Sequence, residues 1–170
     1  MFTLKILKKI IVLFQSDISP NQIAWGFALG AIMGLVPGFF LKILLFIVIM
    51  LFRVNLSSAF IGIALFSIIG FFIDPLLDKV GYLVLVDISV LKSFYTWLYN
   101  LPVVPFTKFN NTVVMGGFIV GLILIIPNGI LAKKGLIYYR KNFRDKVAEL
   151  KVVKLLSATM KITQVIDKTK

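Results

Sequence analysis

Gly26, Gly30, Gly34 and Gly38 recur at strict four-residue spacing inside one apolar stretch, SPNQIAWGFALGAIMGLVPGFFLKILLFIVIMLF, spanning 19–52. Residues four apart share a face of a helix, so Gly26, Gly30 and Gly34 form a ridge without side chains. A neighbouring helix can approach such a ridge closely. Membrane helices associate in this way, because lipid supplies no hydrophobic force that drives helix onto helix. Pro37-Gly38 then breaks the run, since proline removes a helix hydrogen bond and crowds the preceding turn. Ser19-Pro20 makes a good start, with serine at the N-cap and proline in the first turn. The reading is a broken, glycine-rich helical hairpin with helices at 20–36 and 39–52.

Those helices would be roughly 21–26 Å long, against a hydrocarbon core about 30 Å thick. Two arrangements stay open. The pair could be two short spans joined at Pro37-Gly38, or a re-entrant hairpin meeting near the midplane, as in the broken helices of transporters. Lys42 separates them. In the first it lies about one turn in and snorkels outward. In the second it lies deep, where charge is costly and usually functional.

Apolar residues make up 59% of the 170 and the mean hydropathy is +1.00, well above the roughly 45–50% apolar content of soluble domains. The chain has neither cysteine nor histidine, which excludes thiolate nucleophiles, histidine bases and cysteine–histidine zinc sites. No metal or other cofactor is expected. A nucleotide loop is excluded too, because Gly26–Gly38 lacks the preceding strand and the lysine-serine ending.

The net charge of +12 is concentrated at the ends. Residues 133–170 carry net +8 and residues 1–22 net +2, while 74–111 balances three lysines against three aspartates. Basic character can signal nucleic acid. Here it flanks apolar segments, so positive-inside topology is the better reading and no nucleic-acid partner is expected. Residues 1–18 are read as an amphipathic interfacial helix with Lys5, Lys8 and Lys9 on its polar side. A signal peptide is the poorer reading, since Ile10–Phe14 is short and no small-residue cleavage site follows.

The membrane domain is expected over 19–132. Arg53-Val54-Asn55 is a short polar connection. A third helix covers 57–73, ends at Asp74-Pro75, and offers Ser58, Gly62 and Gly70 as a small-residue face. The apolar loop 74–111 is rich in tyrosine and tryptophan, which suit the headgroup level, and is read as one or two interfacial helices. The clearest span is 112–132, with Gly117 and Gly121 repeating the packing spacing and Pro127-Asn128 as a kink. After it, Lys133, Lys134, Arg140, Lys141 and Arg144 form a juxtamembrane cluster of the kind that contacts anionic phospholipid, opening a basic tail over 133–170. The fold expected is an all-α, polytopic membrane bundle, with both termini cytoplasmic and loop 74–111 outside.

The stretch from Ser19 through Gly30 to Gly34 and Pro37 resembles a bacterial membrane family known as domain of unknown function 2062. Arg53-Val54-Asn55, Asp74-Pro75-Leu76 and PVVPFTKFNNTVVMG (Pro102–Gly116) resemble one subgroup within it. The resemblance covers about residues 19–132 and brings no catalytic residues. The subgroup is often encoded beside very large AsmA-like, lipid-bridging envelope proteins, which implies a pathway rather than a mechanism.

Candidate functional polar residues are Lys42, Arg53, Asp74, Asn110 and Asn111. Asp74 and Asp78 could share a proton or bind a cation, although acidic residues near Pro75 also suit a helix start. Asn110-Asn111-Thr112 could hold a headgroup, although caps are the commoner use. The function expected is a non-enzymatic accessory or anchor for a large AsmA-like partner in phospholipid transport. The alternative is an oligomeric transporter or channel subunit built around Gly34–Lys42. An enzyme using Asp74 and Asp78 ranks third.

Overall fold

The computed structural model describes residues 13, 16–144 and 147. Among them are five α-helices: α1 (Pro20–Leu35), α2 (Phe39–Leu51), α3 (Leu56–Tyr82), α4 (Lys92–Tyr99) and α5 (Thr112–Asn142). A π-turn (Leu83–Asp87) and short 3-10 turns (Ser89–Leu91, Val104–Thr107) punctuate the segment between α3 and α5. No strand occurs among the described residues. The amphipathic helix expected over 1–18 and the tail beyond Arg144 lie largely outside them.

The chain divides into two compact units, one over Ser19–Lys133 and one joining described residues up to Ile18 with those from Lys134. In the first, α1 is the central element. Ten of its sixteen residues are buried, against a single residue, Ile49, of α2. Ser19 holds the N-cap position without a side-chain bond, and Pro20 occupies the first turn.

The glycines explain how α1 is buried. A Cβ at Gly30 would overlap the Ala59 carbonyl oxygen, and one at Gly26 would overlap the Ser58 hydroxyl and the Asn55 carbonyl. A Cβ at Gly34 would lie 2.7 Å from Phe66 Cβ and 2.8 Å from the Ile63 oxygen. The contact is reciprocal, since Gly62 of α3 abuts the Phe27 carbonyl of α1. Residue numbers rise together along both helices, so α1 and α3 run parallel with their backbones touching. Between them α2 returns the chain, and the Asn55 N–H then donates to the Gln22 carbonyl at 3.0 Å. Asn55 also caps α3, its side chain accepting from the Ser58 N–H at 2.9 Å.

On its other side α1 meets α5 in antiparallel order. Gly117 abuts the Leu35 carbonyl, Gly121 lies against Ile32, and Gly129 receives the Trp25 ring. Ile32, Val36 and Val114 form a buried cluster, packed round by Leu29, Leu41, Leu45, Phe118 and Ile125.

Two helices are longer than the sequence suggests. Rather than ending at Asp74-Pro75, α3 runs through Pro75 to Tyr82. The lost hydrogen bond is outweighed by packing beyond it. Leu77 is fully buried, and Gly81 and Gly116 let the α3 and α5 backbones meet, a Cβ on either overlapping a carbonyl of the other helix. Likewise α5 passes both Pro127 and Ala132 and ends at Asn142, so the first ten residues of the expected basic tail are helical. Leu56–Asp87 and Thr112–Asn142 are long and apolar enough to cross a membrane.

These contacts predict opposite outcomes for two glycines. Gly30→Leu forces the α1 and α3 backbones apart and should cost at least about 3 kcal/mol, the upper end for overpacking. Gly135 has nothing within 4 Å of a Cβ, so Gly135→Ala should be neutral or stabilising by up to about 1 kcal/mol. Thermal unfolding in mild detergent reads both; equal behaviour of the two variants would refute the backbone-contact account.

Candidate functional site

The Pro37-Gly38 break leaves room at one end of the α1–α2–α3 group. The α1 hydrogen-bond ladder stops at Val36, whose N–H reaches the Ile32 carbonyl, and α2 restarts with the Lys42 N–H donating to the Gly38 carbonyl at 3.1 Å. Lys42 therefore stands one turn inside α2. Across from it, α3 presents Ser67, Gly70, Phe71 and Asp74, which fall on one helical face by spacing. A Cβ at Gly70 would meet nothing nearer than 3.6 Å. The space enclosed is a cavity of about 300 Å³ lined by Gly34, Leu35, Pro37, Lys42, Ser67, Gly70, Phe71 and Asp74.

Two candidates, separated by 32 positions in the chain, are thus brought to one cavity. Both Lys42 and Asp74 are half-buried. They form no ion pair with each other, and the salt bridge between described residues lies elsewhere. Pro75 withholds the N–H that would satisfy the Phe71 carbonyl, leaving an acceptor three residues before Asp74. Phe71 is 75% exposed, so the cavity wall continues into the outward apolar face of α3.

Asp78, one turn further on, accepts a hydrogen bond from the Thr112 hydroxyl of α5. It is committed to joining α3 and α5, and does not stand with Asp74 at the cavity. Asn111 is a cap, its side-chain oxygen accepting from the Val114 N–H at 3.0 Å. Asn110 lines a second, aromatic-walled cavity of about 490 Å³ together with Tyr95, Tyr99, Phe109 and Lys92. The turn Val104–Thr107 lies against the start of α2, with the Phe40 and Phe106 rings 5.6 Å apart. Arg53 is exposed in the α2–α3 connection.

The basic cluster splits into two groups. Lys133, Lys134 and Lys141 are exposed. Arg140 is half-buried and donates to the carbonyls of Ser16 at 2.7 Å and Ile18 at 2.9 Å. Arg144 pairs with Asp17 at 2.7 Å. These two guanidinium groups fasten the chain before α1 to the end of α5, a structural role that their sequence setting did not announce. Sequence could not show it, because the partners are more than 120 residues away.

Gly81 and Gly116 are further packing residues that reading by four-residue spacing passed over. They lie beyond Pro75 and beside Gly117, outside any run of three glycines.

The family model described as uncharacterized protein conserved in bacteria (DUF2062) matches residues 5–144. An uncharacterized protein of Treponema pallidum (strain Nichols) is 28% identical over 134 residues, covering 78% of this chain and 82% of that relative. No solved structure matches the chain. The chain belongs to the DUF2062 family.

Burial in the aromatic-walled cavity pushes the Tyr95 hydroxyl above its ordinary value of 10.0. The fold favours the neutral phenol, so the stability it contributes is fully present below pH 10 and is lost as pH rises through the higher folded value. Tyr95→Phe has no such loss. Between about pH 8 and about pH 11, bracketing the ordinary tyrosine value, the melting temperature of the wild type should therefore fall further than that of Tyr95→Phe. Parallel decline of the two proteins would remove Tyr95 from the account.

Proposed function

We propose that this member of the DUF2062 family is a non-enzymatic, multi-pass protein of the bacterial cytoplasmic membrane that binds phospholipid and serves a large envelope partner in phospholipid transport. The observation that carries the reading is the outward face of the helices. Phe39, Ile47, Met50, Leu51, Phe71 and Phe72 are all more than half exposed, a display of large apolar side chains that acyl chains would cover. Exposed Lys133, Lys134 and Lys141 on the last turns of α5 suit anionic headgroups at one surface. The resemblance to the subgroup encoded beside AsmA-like proteins supports the identity of the partner.

A second reading, a transporter or channel subunit, is favoured by the cavity at the broken helix, where Lys42 and Asp74 stand unpaired. Broken helices of transporters hold their substrates in such places.

Native mass spectrometry of the protein purified in mild detergent tests the first reading directly. The expected result is retained phospholipid together with a large co-purifying chain. A homo-oligomer carrying neither would overturn it in favour of the transporter subunit, which further requires Lys42 to react with aqueous amine reagents.

A further inference from the structure

The cavity between the Pro37-Gly38 break and α3 presents one cation and one anion on opposite walls, and no described residue neutralises either. Two charges of opposite sign lining one pocket without pairing suit an occupant with the complementary charges. The depth of the two groups narrows its chemistry. Lys42 is three residues into α2, or about 4.5 Å, while Asp74 is eighteen residues along α3, or about 27 Å. Because α1 and α3 run parallel and α2 returns, both groups lie towards the same end of the helices. Measured against a hydrocarbon core about 30 Å thick, that end is the level of lipid headgroups. The cavity volume of about 300 Å³ is at the small end for ligand sites. It admits a headgroup and leaves no room for acyl chains. Phe71, which both lines the cavity and is exposed on the apolar face, gives those chains a surface to follow.

We infer that this cavity holds the headgroup of a zwitterionic phospholipid bearing a primary ammonium, with the phosphate at Lys42 and the ammonium at Asp74. The inference rests on the phospholipid-binding reading above and names the lipid class. Lys42 supplies a charge-assisted donor to the phosphate, as ammonium side chains do as point charges. Asp74 accepts from the ammonium, and the Ser67 hydroxyl and the Phe71 carbonyl offer further polar contacts. A headgroup carrying phosphate alone satisfies Lys42 and leaves Asp74 unmatched, so the site selects by its carboxylate.

The test is lipid binding by native mass spectrometry, with the full chain in detergent titrated with phosphatidylethanolamine or phosphatidylglycerol. Wild type should prefer phosphatidylethanolamine by about tenfold, within the range of one hydrogen bond to a charged group. Asp74→Asn should abolish the preference while keeping both lipids. Lys42→Gln should weaken both, and Lys79→Gln, an exposed lysine of α3 away from the cavity, should change neither. Gly70→Leu fills the cavity without altering charge and should remove the preference, which keeps the test decisive if Asp74→Asn fails to fold. Soluble phosphoethanolamine at equal concentration should not displace the lipid, and displacement would overturn the assignment to a lipid rather than a free phosphate compound. Phospholipid bound without preference, unchanged by these variants, would refute this site while leaving the lipid-binding reading intact. Absence of any bound phospholipid would overturn both.

Discussion

Contact between the backbones of α1 and α3 is the constraint on which the rest of the Ser19–Lys133 unit depends. In water, two helices are pressed together by the apolar surface they hide. In a surrounding as apolar as the helices themselves, the gain must come from dispersion and close approach. At Gly30 and Gly62 the facing atoms are all main-chain, carbonyls and their neighbours, so there is no flexible side chain that could yield to an added methyl group. The same geometry recurs at Gly81, Gly116 and Gly117, where α5 meets α3 and α1. Three helices are thus held at distances fixed by the chain itself, and large side chains are released to the outside.

That division of labour governs what could be read from the sequence. The ridge on α1 was legible because strict four-residue spacing has one structural meaning on a helix. The break at Pro37-Gly38 was legible for a similar reason, since two helix-breaking residues coincide. Pro75 misled, because a single proline reports only a local cost. Whether a helix survives it depends on partners such as Leu77 and Gly81, which find theirs on α5, more than thirty residues away. The contacts of Arg140 and Arg144 were hidden for the same reason. A cluster of cations beside an apolar segment suggests headgroups, and nothing in their spacing announces that Ser16, Asp17 and Ile18 stand within reach.

The candidate site was half legible. Lys42 drew attention as a charge inside an apolar helix, and Asp74 as a carboxylate beside a proline. Their meeting at one cavity depends on α2 folding back along α1 while α3 resumes its direction, a topology that the hydrogen bond from Asn55 to Gln22 fastens. Neighbouring residues with similar promise went elsewhere: Asp78 to Thr112, Asn111 to the α5 cap. Chemistry at a position is local information, whereas its availability is tertiary.

The two walls of the cavity are built to different standards. Asp74 belongs to α3, whose position is set by backbone contact with α1 before the cavity and with α5 after it. Lys42 belongs to α2, which buries only Ile49 and is held by side chains: Leu41 and Leu45 against the Ile32–Val36–Val114 cluster, Phe40 against Phe106, and Phe46 against Phe60 at 6.1 Å. Side-chain contacts can be exchanged for others of similar volume at small cost, while backbone contacts at glycine cannot. Substitutions on the inner face of α2 therefore alter the distance between the two charges while the α1–α3–α5 core stays assembled. Substitutions at Gly30, Gly62, Gly81, Gly116 or Gly117, where backbone faces backbone, remove the core itself. The carboxylate has a fixed place, and the separation from its cation is set by how α2 packs.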